Sequence, residues 1–213
     1  MTIDRRPEIP SGYILKELPG INASMSMPET WFYSSHQLFA YGSFLALTMS
    51  SDLIQFGLKD VKTEAHFMTR ESIAQNGIFT TGVSVNIFPD FSEKMGSTEK
   101  FAKEFLEKPP PFLLPLRPVT IEEDGPLVIA RRFIIMPFEQ TIPIPSFHGG
   151  VVTKQVPPLH FYYMVIGNRE TDAACVATFE TPSLKWKDDR KVAETMIDGT
   201  GFSEAFFLRP NPN

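Results

Sequence analysis

The chain has 213 residues, of which 42% are hydrophobic and 21% are charged, a globular composition that is too apolar for a disordered protein. Its 20 basic and 25 acidic side chains give a net charge of −5, so the basic excess that nucleic-acid binding usually needs is missing and no nucleic-acid partner is expected. A single cysteine, Cys175, excludes an internal disulfide and a cysteine-based zinc site.

The first twenty residues contain three prolines and two glycines without a sustained period, so we expect residues 1–20 to form a surface tail. Arg5 and Arg6 are not followed by the apolar run of a secretory signal, which predicts a cytoplasmic chain. Residues 38–49 are the most apolar stretch, but a membrane-spanning helix needs about 20 such residues. We therefore expect a core element or an insertion packed on the core and no membrane span, and the alternative is an exposed membrane-associating hairpin.

Alternating apolar and polar residues predict the first strands. Residues 21–28 alternate with a period of two, and Trp31-Phe32-Tyr33 is expected to attach this strand to the core. Residues 64–72 predict a strand that pairs, through an Asn76-Gly77 turn, with the clearest strand of the chain, residues 79–88. That strand is predicted to lie at or near the centre of a sheet.

Two segments have helical spacing. The first follows Ser97 or Thr98 as N-cap and ends at the triple proline 109–111. The second lies near residues 183–198, and Gly199 stands where a left-handed helix cap is expected.

Three apolar strands are predicted in the second half, at residues 127–138, 159–166 and 173–180. Residues 139–158 between them are rich in proline and predict an extended loop. Sequential strands joined by short turns, with only two helices between them, predict an α+β fold in which helices flank a central antiparallel β-sheet. We expect a single domain over residues 21–200 and a C-terminal tail over residues 201–213.

Residues capable of catalysis do not converge in the sequence. The histidines are well separated, at His36, His66, His148 and His160. His160 is expected to be a hydrogen-bonded strand residue, and Cys175, among small apolar residues, a buried inert thiol. The acidic cluster Glu122-Glu123-Asp124 predicts a solvated turn. Common catalytic and nucleotide-binding motifs are missing from the sequence, so we predict no enzyme, no cofactor and no metal.

Arg131 and Arg132 are consecutive in a predicted strand, so their side chains are expected on opposite faces of the sheet. At least one then points toward a covered face and needs a carboxylate partner, and a structural ion pair is favoured over a ligand site. Phe161-Tyr162-Tyr163 predicts packing on both faces, with a partner for any buried tyrosine hydroxyl.

The proline-rich region 139–158 is the predicted recognition element. Long irregular loops are often functional, and Phe147, His148 and Lys154 supply aromatic, titratable and cationic groups. The alternative is an insertion without a role.

Several short segments resemble the PsbP/MOG superfamily, and most closely its uncharacterised bacterial PsbP-like members. They are Met27-Pro28-Glu29-Thr30-Trp31, Phe67-Met68-Thr69-Arg70-Glu71-Ser72, Phe79-Thr80-Thr81-Gly82-Val83-Ser84-Val85-Asn86, and Phe179-Glu180-Thr181-Pro182 with the helix of Trp186. The resemblance implies an αβα sandwich around an antiparallel sheet. It also implies a non-enzymatic role, because PsbP supports the oxygen-evolving assembly of photosystem II and the MOG branch binds the GTPase Ran.

We therefore expect a non-catalytic protein-binding or assembly protein whose partner is another protein. The alternative is a small-molecule or lipid-binding domain with a pocket closed by the 38–49 element and the 139–158 loop.

Overall fold

The fold was analysed in a computed structural model, which describes residues 9–18, 22–34, 62–69, 81–88, 97, 100, 104, 106–109, 111–145, 150–170 and 173–202. The strands of the first half are β1 (Tyr13–Leu18), β2 (Ala23–Pro28), β3 (Phe32–Ser34), β4 (Lys62–Met68), β5 (Gly82–Phe88), β6 (Leu114–Pro115) and β7 (Thr120–Asp124). They are followed by β8 (Leu127–Met136), β9 (Gln140–Pro145), β10 (Val151–Val156), β11 (Leu159–Asn168), β12 (Ala173–Pro182), helix α1 (Trp186–Asp198) and β13 (Gly201–Phe202).

The main sheet is antiparallel and has the order β3-β4-β5-β12-β11-β8-β6, with β7 also paired to β8. Its middle is built from three ten-residue strands, β8, β11 and β12, whose nearly continuous apolar sequences suit burial on both faces. β5 pairs directly with β12, which confirms the near-central place predicted for it.

Alternate residues of these strands point to a first face, covered by α1 and by a small sheet of order β1-β2-β13. Val83, Met164 and Phe179 from the main sheet pack there against Met25 of β2 and Ile197 of α1. The helix predicted near residues 183–198 is confirmed as α1, and its Ala193, Met196 and Ile197 are buried.

The remaining residues form a second face with its own core. Phe161, Tyr163 and Val176 are buried there against Leu106 and Val156, which come from outside the central strands. The segment that contains Leu106 is helical at Lys100, Glu104, Leu106 and Glu107. Ser97 caps it as predicted, since its hydroxyl accepts a hydrogen bond of 3.1 Å from the Lys100 amide.

The expectation of a tail before residue 21 was wrong for Tyr13–Leu18, which forms β1 and pairs with β2 over its whole length. Leu18 is completely buried. Gly12, with φ of 80°, turns the chain into this strand, and its carbonyl accepts a hydrogen bond from the Glu29 amide. At the other end, Gly201–Phe202 also joins the sheet as β13.

Residues 139–158 are not an irregular loop, because β9 and β10 form an antiparallel hairpin. Prolines usually argue against a strand, since they donate no hydrogen bond. Pro143 and Pro145 are two residues apart, and amides two apart point to the same side of a strand, so both missing donors fall on one edge. Ile142 and Ile144, which alternate with these prolines, keep their amides and lie in register with β10.

Two smaller expectations also differ from the structure. Glu122-Glu123-Asp124 is not a turn but the end of β7, in register with β8. Gly199 is not left-handed, having φ of −84°, and it follows α1 with its amide bonded to the Thr195 carbonyl. Residues 38–49, the Asn76-Gly77 turn and residues 203–213 lie outside the described residues. Within the described ranges, no helix is long and apolar enough to span a membrane.

Candidate protein-binding surface

The two consecutive arginines of β8 occupy opposite faces of the sheet, as predicted. On the first face Arg131, 13% exposed, lies 3.1 Å from Glu122 and 3.2 Å from Asp198. On the second face Arg132 donates to the backbone carbonyls of Arg117 and Leu106. Both guanidinium groups therefore have structural roles, and the predicted ion pair is confirmed.

A stack of aromatic rings continues from Arg131 along the first face. Phe133 lies opposite Tyr162 in register, and their rings are parallel within 8° with centroids 4.0 Å apart. Trp186 is the first residue of α1. Its ring contacts Phe133 edge-on, with centroids 5.5 Å apart, and stacks on the His160 ring, with centroids 4.8 Å apart. The stack thus joins β8, β11 and the start of α1.

Hydrogen bonds fix both ends of the stack. The buried Tyr162 hydroxyl donates to Asp198 at 2.6 Å. Burial raises the pKa of Tyr162, and the hydrogen bond to Asp198 and the charge of that carboxylate raise it further. At the other end His160 Nδ1 lies 2.9 Å from the Ser183 hydroxyl, and burial lowers the pKa of this histidine.

Two further arginines lie over the Phe133 ring, with guanidinium carbons 5.5 Å (Arg117) and 5.7 Å (Arg190) from its centroid. Arg190 also forms an ion pair with Glu194, one helical turn later, at 2.9 Å. The backbone of Arg117 is fixed to β8, because its carbonyl accepts from Arg132 and the preceding amide, of Leu116, donates to Phe133.

Exposed leucines border this cluster. Leu184 is 98% exposed and lies between Ser183, which contacts His160, and the start of α1. Leu116, next to Arg117, is 47% exposed. We call this region the Phe133 surface, and it consists of Leu116, Arg117, Phe133, His160, Leu184, Trp186 and Arg190.

The residues predicted from sequence to mediate recognition are not part of this surface as far as the structure describes them. Lys154 belongs to β10, opposite Ile142, and Phe147 and His148 lie outside the described residues. Arg117, Leu184 and Arg190 were not predicted. Only Arg190 had a signal in the sequence, since it follows Trp186 by four residues and therefore shares its helix face.

The other residues singled out in the sequence have structural surroundings. Cys175 is buried in the core of the first face. Among residues that the structure describes, no group of three or more histidine, cysteine or carboxylate side chains is placed to hold a metal ion. His160 is bonded and stacked, as expected for a strand histidine.

Comparison of the sequence with protein-family models and with curated proteins gives no match. The fold is similar to the solution structure of cyanobacterial PsbP (CyanoP) from Synechocystis, with 10% identity and a TM-score of 0.48 over 90% of this chain and 92% of that one. It is also similar to the crystal structure of the Saccharomyces cerevisiae Ran-binding protein Mog1p, with 10% identity and a TM-score of 0.44 over 88% and 94%.

Proposed function

We propose that this chain is a non-catalytic protein-binding or assembly protein and that it binds its partner through the Phe133 surface. The observation that supports this most strongly is the exposure of Leu184, two residues before the stacked Trp186, together with two arginines over the Phe133 ring. Tryptophan, tyrosine and arginine are the residues that contribute most often to binding energy at protein interfaces. Leu116 and Leu184 add exposed apolar side chains to this region, and apolar surface exposed as a patch with a polar rim marks interaction sites.

The rigidity of the surface supports the same function. The Phe133 and Tyr162 rings are stacked, and the Tyr162 hydroxyl and His160 each have a hydrogen-bond partner. Binding to side chains that are already ordered costs less conformational entropy than binding to side chains that become ordered in the complex.

The β9–β10 hairpin is a second place where a partner could bind, through Phe147, His148 and Lys154. Its support is that the hairpin forms a two-stranded sheet of its own in the described chain. The pocket alternative depends on residues 38–49, outside the described residues, and stays a prediction.

We also infer a helical layer on the second face, built by the segment around Leu106. Its support is the helical backbone at Glu104 and Leu106 and the complete burial of Leu106 against the sheet. With α1 on the first face, this gives the αβα arrangement, in one domain that includes β1 and β13.

The proposed function is tested by affinity capture from a lysate of the source organism, followed by binding measurements with the purified partner. We expect Leu184→Ser to weaken the partner's binding about tenfold, since a buried leucine side chain contributes about 1.5–3 kcal/mol. Because Leu184 is almost fully exposed, this substitution leaves folding unchanged.

Ile9→Ser is the matched control, because Ile9 is also an exposed apolar residue, at 51%, but lies outside the Phe133 surface. We expect it to bind the partner as the unchanged protein does. Equal binding by the unchanged protein and both variants would contradict the assignment of the Phe133 surface.

A further inference from the structure

Two guanidinium groups share one face of the Phe133 ring. Tyr162 covers the other face, because its ring is nearly parallel at 4.0 Å. The guanidinium carbons of Arg117 and Arg190 both lie within 6 Å of the Phe133 centroid, at 5.5 and 5.7 Å. Both cations therefore lie around the side of the ring that Tyr162 leaves open.

The charges of this arginine pair are only partly balanced. Arg190 uses its Nε for the ion pair with Glu194. None of the carboxylates in the described ranges forms an ion pair with Arg117. Like charges held together repel each other, and an anion between them relieves that repulsion.

Both arginines are positioned before any ligand arrives. The backbone of Arg117 is held through hydrogen bonds of 2.7 Å from Arg132 to its carbonyl and 2.9 Å from the Leu116 amide to the Phe133 carbonyl, and its guanidinium lies over the Phe133 ring. Arg190 is held by α1 and by Glu194. Guanidinium groups bind carboxylates through two parallel N–H groups. Less side-chain conformational entropy is lost on binding when the arginine is already held in place.

We propose that Arg117 and Arg190 together bind a side-chain carboxylate from an acidic segment of the partner protein, which also places an apolar side chain against Leu184. The proposal rests on the proposed function and adds the chemistry of the partner. Charge complementarity selects an anion. Leu116 and Leu184 are exposed apolar residues close in sequence to Arg117 and to the start of α1. They favour a polypeptide, since it offers carboxylates and apolar side chains a few ångströms apart, whereas free phosphate offers only charge.

The test titrates the full chain with a synthetic peptide of alternating glutamate and leucine, and with its glutamine analogue, while the side-chain Nε–H signals of the arginines are followed by NMR. We expect the glutamate peptide to shift the signals of Arg117 and Arg190 and to bind about tenfold or more tightly than the glutamine peptide, because a hydrogen bond to a charged group contributes about 1.5–3 kcal/mol. Arg117→Gln and Arg190→Gln should each remove most of this preference. Arg117→Lys should restore it only in part, because lysine cannot form the bidentate contact.

Lys187→Gln is the matched control, since it removes one positive charge from an exposed position of the same helix. We expect it to keep the preference for glutamate. The carboxylate site would be overturned if the two peptides bound with equal affinity or if the glutamate peptide did not bind. It would also be overturned if Lys187→Gln and Arg190→Gln lost the same preference, or if inorganic phosphate competed at the peptide's own concentration. If the two peptides bind equally but Leu184→Ser weakens both, the carboxylate site fails and the Phe133 surface stands. If the two peptides bind equally and Leu184→Ser changes the affinity of neither, the Phe133 surface fails as well.

Discussion

The Tyr162 hydroxyl is the clearest case of a single buried polar group with a defined partner. It donates to Asp198 at 2.6 Å, and that carboxylate also lies 3.2 Å from Arg131. We expect Tyr162→Phe to lower the free energy of unfolding by about 1.5–3 kcal/mol, the loss of one hydrogen bond to a charged group. Urea titration measures this. Tyr13→Phe is the control, because the Tyr13 hydroxyl has no hydrogen bond among the described residues, and it should change stability by less than about 0.5 kcal/mol.

The raised pKa of Tyr162 adds a pH dependence to the same variant. The neutral hydroxyl is favoured in the folded state, so its contribution is complete below the ordinary tyrosine pKa of 10.0 and is lost as the pH rises above it. Tyr162→Phe should therefore lose less stability between neutral and alkaline pH than the unchanged protein. Parallel alkaline curves for the two proteins would contradict this.

His160 is expected to give a pH dependence of the opposite sign. Burial lowers its pKa below 6.5, so the unfolded chain binds the proton more readily than the folded one. Stability from this group is complete above pH 6.5 and falls as the pH drops through the folded pKa. Thermal melts above and below that pH should show a smaller drop in melting temperature at the acid pH for His160→Gln than for the unchanged protein. An equal loss would mean that other groups carry the dependence.

At the scale of elements, the end of α1 depends on Gly199 for a steric reason. Its φ of −84° is open to any residue, but a Cβ at this position would overlap the carbonyl oxygen of Thr195. We expect Gly199→Ala to destabilise the protein by about 1 kcal/mol or more, as alanine does where the native backbone cannot accept it. Lys191→Ala, on the exposed side of the same helix, should change the urea midpoint little. Equal midpoints for both variants would show that the helix end adjusts without cost.

Strands with regular alternation could be predicted from the sequence, and strands without it could not. β5 and β2 repeat apolar residues every second position, and both were predicted. β1 and the β9–β10 hairpin were missed because proline and glycine flank or interrupt them. In both cases pairing with a neighbouring strand outweighs the weak strand propensity of the residues themselves, and such pairing cannot be read from one short segment of sequence.

The same contrast holds for side chains. The opposite directions of Arg131 and Arg132 follow from the period of a strand, so their separate partners could be anticipated. Which carboxylate meets Arg131 could not be predicted, because Glu122 and Asp198 come from β7 and from the end of α1.

At the scale of the whole molecule, the Phe133 surface exists because the sheet order brings distant segments together. Arg117 follows β6, Phe133 lies in β8, His160 in β11 and Trp186 in α1. β8 and β11 are neighbours in space although β9 and β10 separate them along the chain. A surface assembled from four elements leaves no motif in the sequence. Residues 147–154 could be predicted as a candidate because they lie together in one proline-rich segment.

Hydrogen–deuterium exchange of the protein with and without its purified partner tests the central claim most directly, since it reports on both candidate surfaces at once. We predict slower exchange of backbone amides on binding at residues 114–117 and 183–190, which border the Phe133 surface, and no change along the β9–β10 hairpin. Protection confined to residues 140–156, with residues 114–117 and 183–190 unchanged, would contradict the account and assign recognition to the hairpin.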